Sequence, residues 1–300
     1  MFWTREKLYE EIYNLIVDCC LSISPDAKDL LQQSLKKETN ETAKSMLQTI
    51  LDDVEMAKKL NKPVCQSPGF GTVYVSFGKN ANLEEIKDIK EIYAQAIIKA
   101  TKNGYLRPSM VHPLTRKNPG DNSGIGVPNF EFNFIPEQEY VEHILSFKGC
   151  GAELGNAMKI MTTAMLGKNY VGFKKFVIET ALAAGGKPCP PYAIGIGIGG
   201  QMDIACKLAR QAVSIRDWRD SNPDPLMKEL EIELCDKINS LKIGAAGTGG
   251  NTSCLAVKIE TVSTHTAILP VAISFHCWVA RRGGLRLYPD GKKEILFRGN

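Results

Sequence analysis

Apolar residues recur every three or four positions through the first sixty residues, and the period shortens to two soon afterwards. Leu8, Ile12, Leu15, Ile16 and Cys19 fall on one face of a predicted helix. Ser24 followed by Pro25 reads as an N-cap and a favoured first-turn proline, with Leu30, Leu31 and Leu35 continuing that second helix. Ala43, Met46, Leu47, Ile50, Val54 and Ala57 form a third apolar stripe, which Asn61 and Pro63 are expected to end.

Beyond Pro63 the pattern is mixed. Val73, Val75 and Phe77 alternate as a strand does, and residues 83–103 read as a helix stopped by Gly104. Residues 105–128 are rich in Pro, Gly and Asn and predict a long loop, of the kind that is functional or ordered by a partner. Phe130, Phe132 and Phe134 mark another strand, and two helices are expected within 153–185. Strands are expected at 192–198, 254–260 and 269–276, with helices at 201–216 and 225–240. Residues 285–288 and 294–297 flank Pro289-Asp290-Gly291 as a hairpin. The fold class is α+β: a helical N-terminal segment (1–62), then mixed β-sheets flanked by helices (63–300), in one domain of 300 residues.

At 300 residues and 44% hydrophobic, the chain can bury a sizeable core. A net charge of +4, spread along the sequence with no basic run, points to neither nucleic acid nor a membrane surface. No stretch is apolar enough to span a bilayer, and Arg5, Glu6 and Lys7 stand where a signal peptide would have its apolar region. A cytoplasmic location is therefore expected, and the nine cysteines read as reduced thiols or metal ligands.

Three cysteines stand out by their surroundings. Cys65 follows a helix and Pro63, Cys189 lies among Pro188, Pro190 and Pro191, and Cys277 ends an apolar strand. Residues at element ends combine rigid support with access. Three thiolates can hold a four-iron cluster and leave one iron without a protein ligand. No C-x-x-C occurs, which removes ferredoxin-type and zinc-finger spacing. Cys19, Cys20, Cys206, Cys235 and Cys254 read as core residues, and Cys150 in its glycine-rich turn is open. Spacing selects none of the four histidines. Arg107 opens the long loop, and Arg281-Arg282 suit a dicarboxylate or plain solvation. The run from Gly195 to Gly200 lacks G-x-G-x-x-G spacing. It reads instead as a strand whose glycines admit a close backbone or a cluster.

Taken in order, Pro63-Val64-Cys65-Gln66, Leu106-Arg107-Pro108-Ser109, the segment 121–128, Pro188-Cys189-Pro190-Pro191, Thr264-His265 and the segment 277–282 resemble one family. It is that of the α subunits of two-subunit, iron–sulfur-dependent fumarate and tartrate hydro-lyases, equivalent to the N-terminal part of single-chain class I fumarases. The resemblance implies a 4Fe-4S cluster on Cys65, Cys189 and Cys277. Its open iron would act as a Lewis acid towards a 2-hydroxy dicarboxylate such as malate or tartrate. It also implies that Gln66, Arg107 and Gly151 contact substrate and that His265 is catalytic. The proton-abstracting base would come from a β subunit, in a dimer of α–β pairs.

The sequence departs from the family pattern in three places. Ser67 stands where the family has an aspartate that pairs with the histidine matching His265. Ala152 and Asn251 stand where the family has serine and lysine. Two readings follow: a hydro-lyase α subunit, or a non-catalytic cluster-binding relative that has lost turnover.

Overall fold

The computed structural model describes residues 2–81 and 86–297. The first sixty residues form helices α1 (Arg5–Leu21), α2 (Pro25–Lys37) and α3 (Glu41–Leu60). The Thr4 hydroxyl caps α1 by accepting from the Lys7 amide. Strand β1 (Phe70–Phe77) and helix α4 (Ile89–Lys102) follow. The start of the expected helix at Leu83 lies outside the described residues. Its other end falls as expected, with Gly104 at φ +83°. No helix or strand interrupts 105–128.

The remaining elements are β2 (Asn129–Phe134), β3 (Val141–Lys148), α5 (Cys150–Leu154), β4 (Ala157–Met161), α6 (Thr163–Leu166) and α7 (Val171–Ala184). After them come β5 (Tyr192–Ile198), α8 (Met202–Ser214), α9 (Pro225–Ser240), β6 (Cys254–Thr261), β7 (Leu269–His276), β8 (Arg281–Leu287) and β9 (Lys293–Leu296). The architecture is α+β, with an N-terminal helical segment and two mixed sheets. Two elements differ from the sequence expectation. The pattern missed β3 altogether, and β4 occupies part of the region expected to be helical.

The chain divides into two compact units, Met1–Pro25 with Asp53–Lys148 and Val279–Asn300, and Asp26–Asp52 with Gly149–Trp278. The N-terminal helices are shared between them: α1 belongs to the first, nearly all of α2 to the second, and α3 is split at Asp53.

The first unit is built on a five-stranded sheet of order β2-β1-β3-β8-β9, in which only β1 and β2 are parallel. Helix α1 packs against α4, β3 and β8. Ile12 and Ile16 of α1, Tyr93 and Ile97 of α4, and Val73, Leu145 and Leu285 of the sheet share one core. The alternate positions Thr72, Ser146 and Arg282, cross-strand neighbours in register, are also buried.

The second unit has a four-stranded sheet of order β4-β7-β5-β6, with β5 parallel to β6 and antiparallel to β7. Alternation along β5 explains its packing. Ile194 and Ile196 enter a core with Val257, Ile273, Val177 of α7 and Leu234 of α9. Gly195 and Gly197 face the other way, where a Cβ would come 2.0 Å from the carbonyl oxygens of Ala209 and Ala205. The glycines therefore admit the α8 backbone directly onto the sheet, and Ala205, Ala209 and Ala272 complete that contact. This is the close backbone approach that the glycine run predicts.

Candidate active site

In the first unit, Cys65 sits on the short turn between α3 and β1. Its neighbours are pinned on both sides. The Val64 amide donates to the Cys20 carbonyl at the end of α1 (3.0 Å), and the Ser67 amide donates to Cys65 Sγ (3.4 Å). The Ser67 carbonyl accepts from Nη2 of Arg281 at 2.6 Å. Arg281 is only 2% exposed, which removes the solvated alternative left open by the sequence. Gln66, on the same turn, is exposed.

Arg107 is exposed at the start of the long loop, and the loop owes its order to Asn122. The Asn122 side chain accepts from the amides of Ser109 (2.8 Å) and Met110 (3.1 Å) and donates to Thr101 Oγ1 (2.9 Å) and the Arg107 carbonyl (3.0 Å). Its φ of +61° is one that asparagine tolerates better than most residues. Asn122 was visible in the sequence only as part of a motif. Its signal is an asparagine in a Gly- and Ser-rich turn, while the groups it braces lie up to 21 residues away in sequence.

In the second unit, Cys189 and Cys277 come to the same end of the sheet. Residues Ala193 and His276 are paired in register, so Cys277 leaves β7 where the Cys189 segment enters β5. Cys189 is exposed and holds φ +55°, a left-handed conformation that costs a non-glycine residue about 1 kcal/mol or more. Its amide donates to the Gly186 carbonyl (3.1 Å), and the Ala246 amide donates to the Pro190 carbonyl (2.8 Å). Cys277 is buried, beside a fully buried His276 whose ring stacks edge-on against Trp218.

Gly151 belongs to the same end. A Cβ there would lie 2.4 Å from the Lys187 carbonyl oxygen, so α5 rests its backbone on the segment that leads to Cys189. Asn156 ties α5 to β7 by accepting from the Phe275 amide (3.0 Å). Its amide group also donates to Glu153 (2.7 Å), which in turn pairs with Arg210.

His265 stands at the opposite end of this sheet, in the exposed loop between β6 and β7. Its Nδ1 accepts from the Ala267 amide (3.2 Å), and neighbouring Thr264 donates to the Gly200 carbonyl (3.1 Å). The eight residues of β7 separate His265 from Cys277, roughly 25 Å of extended chain.

The other cysteines fall as expected with one exception. Cys19, Cys20 and Cys254 are buried, and burial pushes the Cys20 thiol up to about 12 against the pull of the Arg281 charge. Cys206 was expected in the core and is exposed on α8, because Ala205 and Ala209 form the contact face of that helix. None of the nine cysteines is joined in a disulfide. Among the described residues, no three His, Cys, Asp or Glu side chains surround a single point as ligands of one metal ion do. A cuboidal cluster makes a different demand, one thiolate on each of three irons. No helix among the described residues is long and apolar enough to cross a membrane.

Comparison with known proteins gives this arrangement its context. A family model described as fumarate hydratase (Fumerase) matches residues 9–286. A protein of Methanocaldococcus jannaschii, provisionally named L(+)-tartrate dehydratase subunit alpha, is 40% identical over 288 residues, covering 95% of this chain and 99% of its own length. The L(+)-tartrate dehydratase subunit alpha of Escherichia coli K12 is 32% identical over 284 residues, 95% of this chain and 92% of its own. A protein of Geobacillus stearothermophilus, provisionally named fumarate hydratase class I, is 32% identical over 291 residues, but the match covers only 56% of that longer chain. The class these matches define is that of the hydro-lyases. Within it, the chain belongs to the fumarate hydratase (Fumerase) family.

Proposed function

We propose that this chain is the cluster-bearing α subunit of a cytoplasmic hydro-lyase that reversibly removes water from a 2-hydroxy dicarboxylate. Malate/fumarate and tartrate/oxaloacetate are the leading pairs, and Cys65, Cys189 and Cys277 hold the 4Fe-4S cluster. The observation that carries this reading is the delivery of Cys189 and Cys277 to one end of the second unit's sheet, in a member of a hydro-lyase family. The donor set fits the group. All three thiols are free of disulfides, Cys189 holds a strained backbone outside the core, and Cys65 Sγ accepts an amide hydrogen bond suited to an anionic sulfur.

When bound, the cluster supplies Lewis-acid polarisation of the departing hydroxyl. The protein's own part is binding and orientation. Arg107 offers an exposed guanidinium fork to a carboxylate, and Gln66 an exposed amide to the hydroxyl or carboxylate oxygens. Gly151 keeps a side chain out of the space beside the Cys189 segment. His265 lies one strand length from the cysteine end of its own chain. In this reading it reaches substrate only from another copy, which fits a dimer of α–β pairs. The β subunit supplies the proton-abstracting base. Relatives named as α subunits support such a partner, as does a relative named fumarate hydratase class I that extends well beyond the matched part.

The test is anaerobic reconstitution of the chain with its β partner, followed by iron analysis and assays on malate and tartrate. About four irons per chain are expected, with turnover of one of the diacids, and none after Cys189→Ser. Absence of iron binding overturns the reading. A bound cluster without turnover on any 2-hydroxy diacid establishes the second one, a non-catalytic relative, for which Ser67 in place of the family aspartate is the specific support.

A further inference from the structure

The Arg281 guanidinium is buried at the start of β8, paired in register with Phe147. Burying a cation is costly unless hydrogen bonds compensate, so its position calls for a role. Its Nη2 donates to the Ser67 carbonyl at 2.6 Å, while its Nε has no partner among the described residues. Ser67 also donates its own amide to Cys65 Sγ at 3.4 Å. One residue is thus held by its carbonyl while its N–H addresses a sulfur. Pro68, buried and with φ fixed by its ring, restricts Ser67 from the other side. Across the turn, the Val64 amide is fixed on the Cys20 carbonyl at 3.0 Å.

We infer that Arg281 is a positioning residue for Cys65: it holds Ser67 so that the Ser67 N–H stays directed at the Cys65 sulfur. This rests on the reading of Cys65 as a cluster ligand. Hydrogen bonds to a ligating sulfur stabilise its anionic form, and partners beyond the ligands govern how firmly a metal group is kept. The function uses only the backbone of residue 67. It is indifferent to the exchange of the family aspartate for Ser67, so it operates whether or not turnover has been kept.

The test uses the full chain with Arg281→Gln and Arg281→Lys, and Arg286→Gln as a control on the same strand. Two quantities are measured: hydrogen exchange of the Ser67 amide in the iron-free chain, and iron release to a chelator after anaerobic reconstitution. In Arg281→Gln, Ser67 exchanges faster and iron leaves roughly 10–100-fold faster. Arg281→Lys, which keeps the charge but not the fork, falls between, and the control matches the parent. Unchanged Ser67 exchange in both Arg281 variants overturns the inference, and so does unchanged iron release where exchange has risen. If the parent chain takes up no iron, the cluster reading falls, while Ser67 exchange still decides whether the clamp exists. If Arg281→Gln does not fold, Arg281→Lys is judged by the same two criteria.

Discussion

A methyl group at residue 151 has nowhere to go. The Lys187 carbonyl oxygen would lie 2.4 Å away, and it is backbone, so it cannot swing aside as a flexible side chain does. The segment it belongs to carries Cys189 two residues further on, already in a left-handed conformation. Gly151→Ala must therefore displace the Cys189 turn. We expect a loss of about 1–3 kcal/mol in denaturant unfolding, as for other overpacked contacts. Iron uptake should fall further than that loss alone explains, because Cys189 moves with the turn. Normal iron uptake by a destabilised Gly151→Ala chain would separate Gly151 from the site. At this scale the sequence was partly legible. The candidate ligand cysteines were visible because chemistry restricts which residues can ligate iron. The burial of Arg281 was not, since a buried and a solvated arginine look alike in one dimension. Asn122 was hidden for a similar reason: its four hydrogen bonds go to main-chain and hydroxyl groups that carry no sequence signature.

Strand β3 shows what an element's own sequence leaves out. It lies between β1 and β8 and is buried on both faces, so it lacks the alternation that marks a half-exposed strand. Glu142, His143, Ser146 and Lys148 also break any apolar run. Strand β4 was concealed differently: Ala157-Met158-Lys159-Ile160-Met161 favours helix by propensity, and pairing with β7 overrides it. By contrast, α9 and β7 coincide to the residue with the helix expected at 225–240 and the strand expected at 269–276. The burial of β3 has a thermodynamic consequence. His143 stacks on Tyr93 at 6.1 Å, its Nδ1 lacks a partner among the described residues, and burial lowers its pKa to about 4 from 6.5. The unfolded chain protonates first, so stability is fully present above about pH 6.5 and is lost as pH falls towards 4. The loss is on the order of 3 kcal/mol. His143→Phe keeps a ring beside Tyr93 and should flatten that part of the stability profile in urea unfolding between pH 4 and 7. An identical slope in parent and variant would show that His143 takes up its proton equally in the folded and unfolded chain.

For the whole molecule, the separation between His265 and the cysteine end sets a testable requirement on assembly. Cys189, Cys277 and His265 all belong to one compact unit, and the length of β7 lies between the first two and the third. A substrate held at the cysteines of one chain is then out of reach of that chain's own His265. If the site is completed by a second copy, two inactive variants can rescue each other. Cys189→Ser removes a proposed ligand and keeps His265, while His265→Asn does the reverse. Mixed before assembly with the β partner, they form hybrid dimers in which one site takes intact cysteines from one chain and His265 from the other. The second site in each hybrid carries both lesions. Random pairing makes half the dimers hybrids, so about a quarter of the parent activity should return, in proportion to the share of hybrid dimers. Parent-like activity of His265→Asn alone would remove the histidine from the reaction. A mixture as inactive as its components would show that each chain, with its β partner, builds its site without help from a second copy.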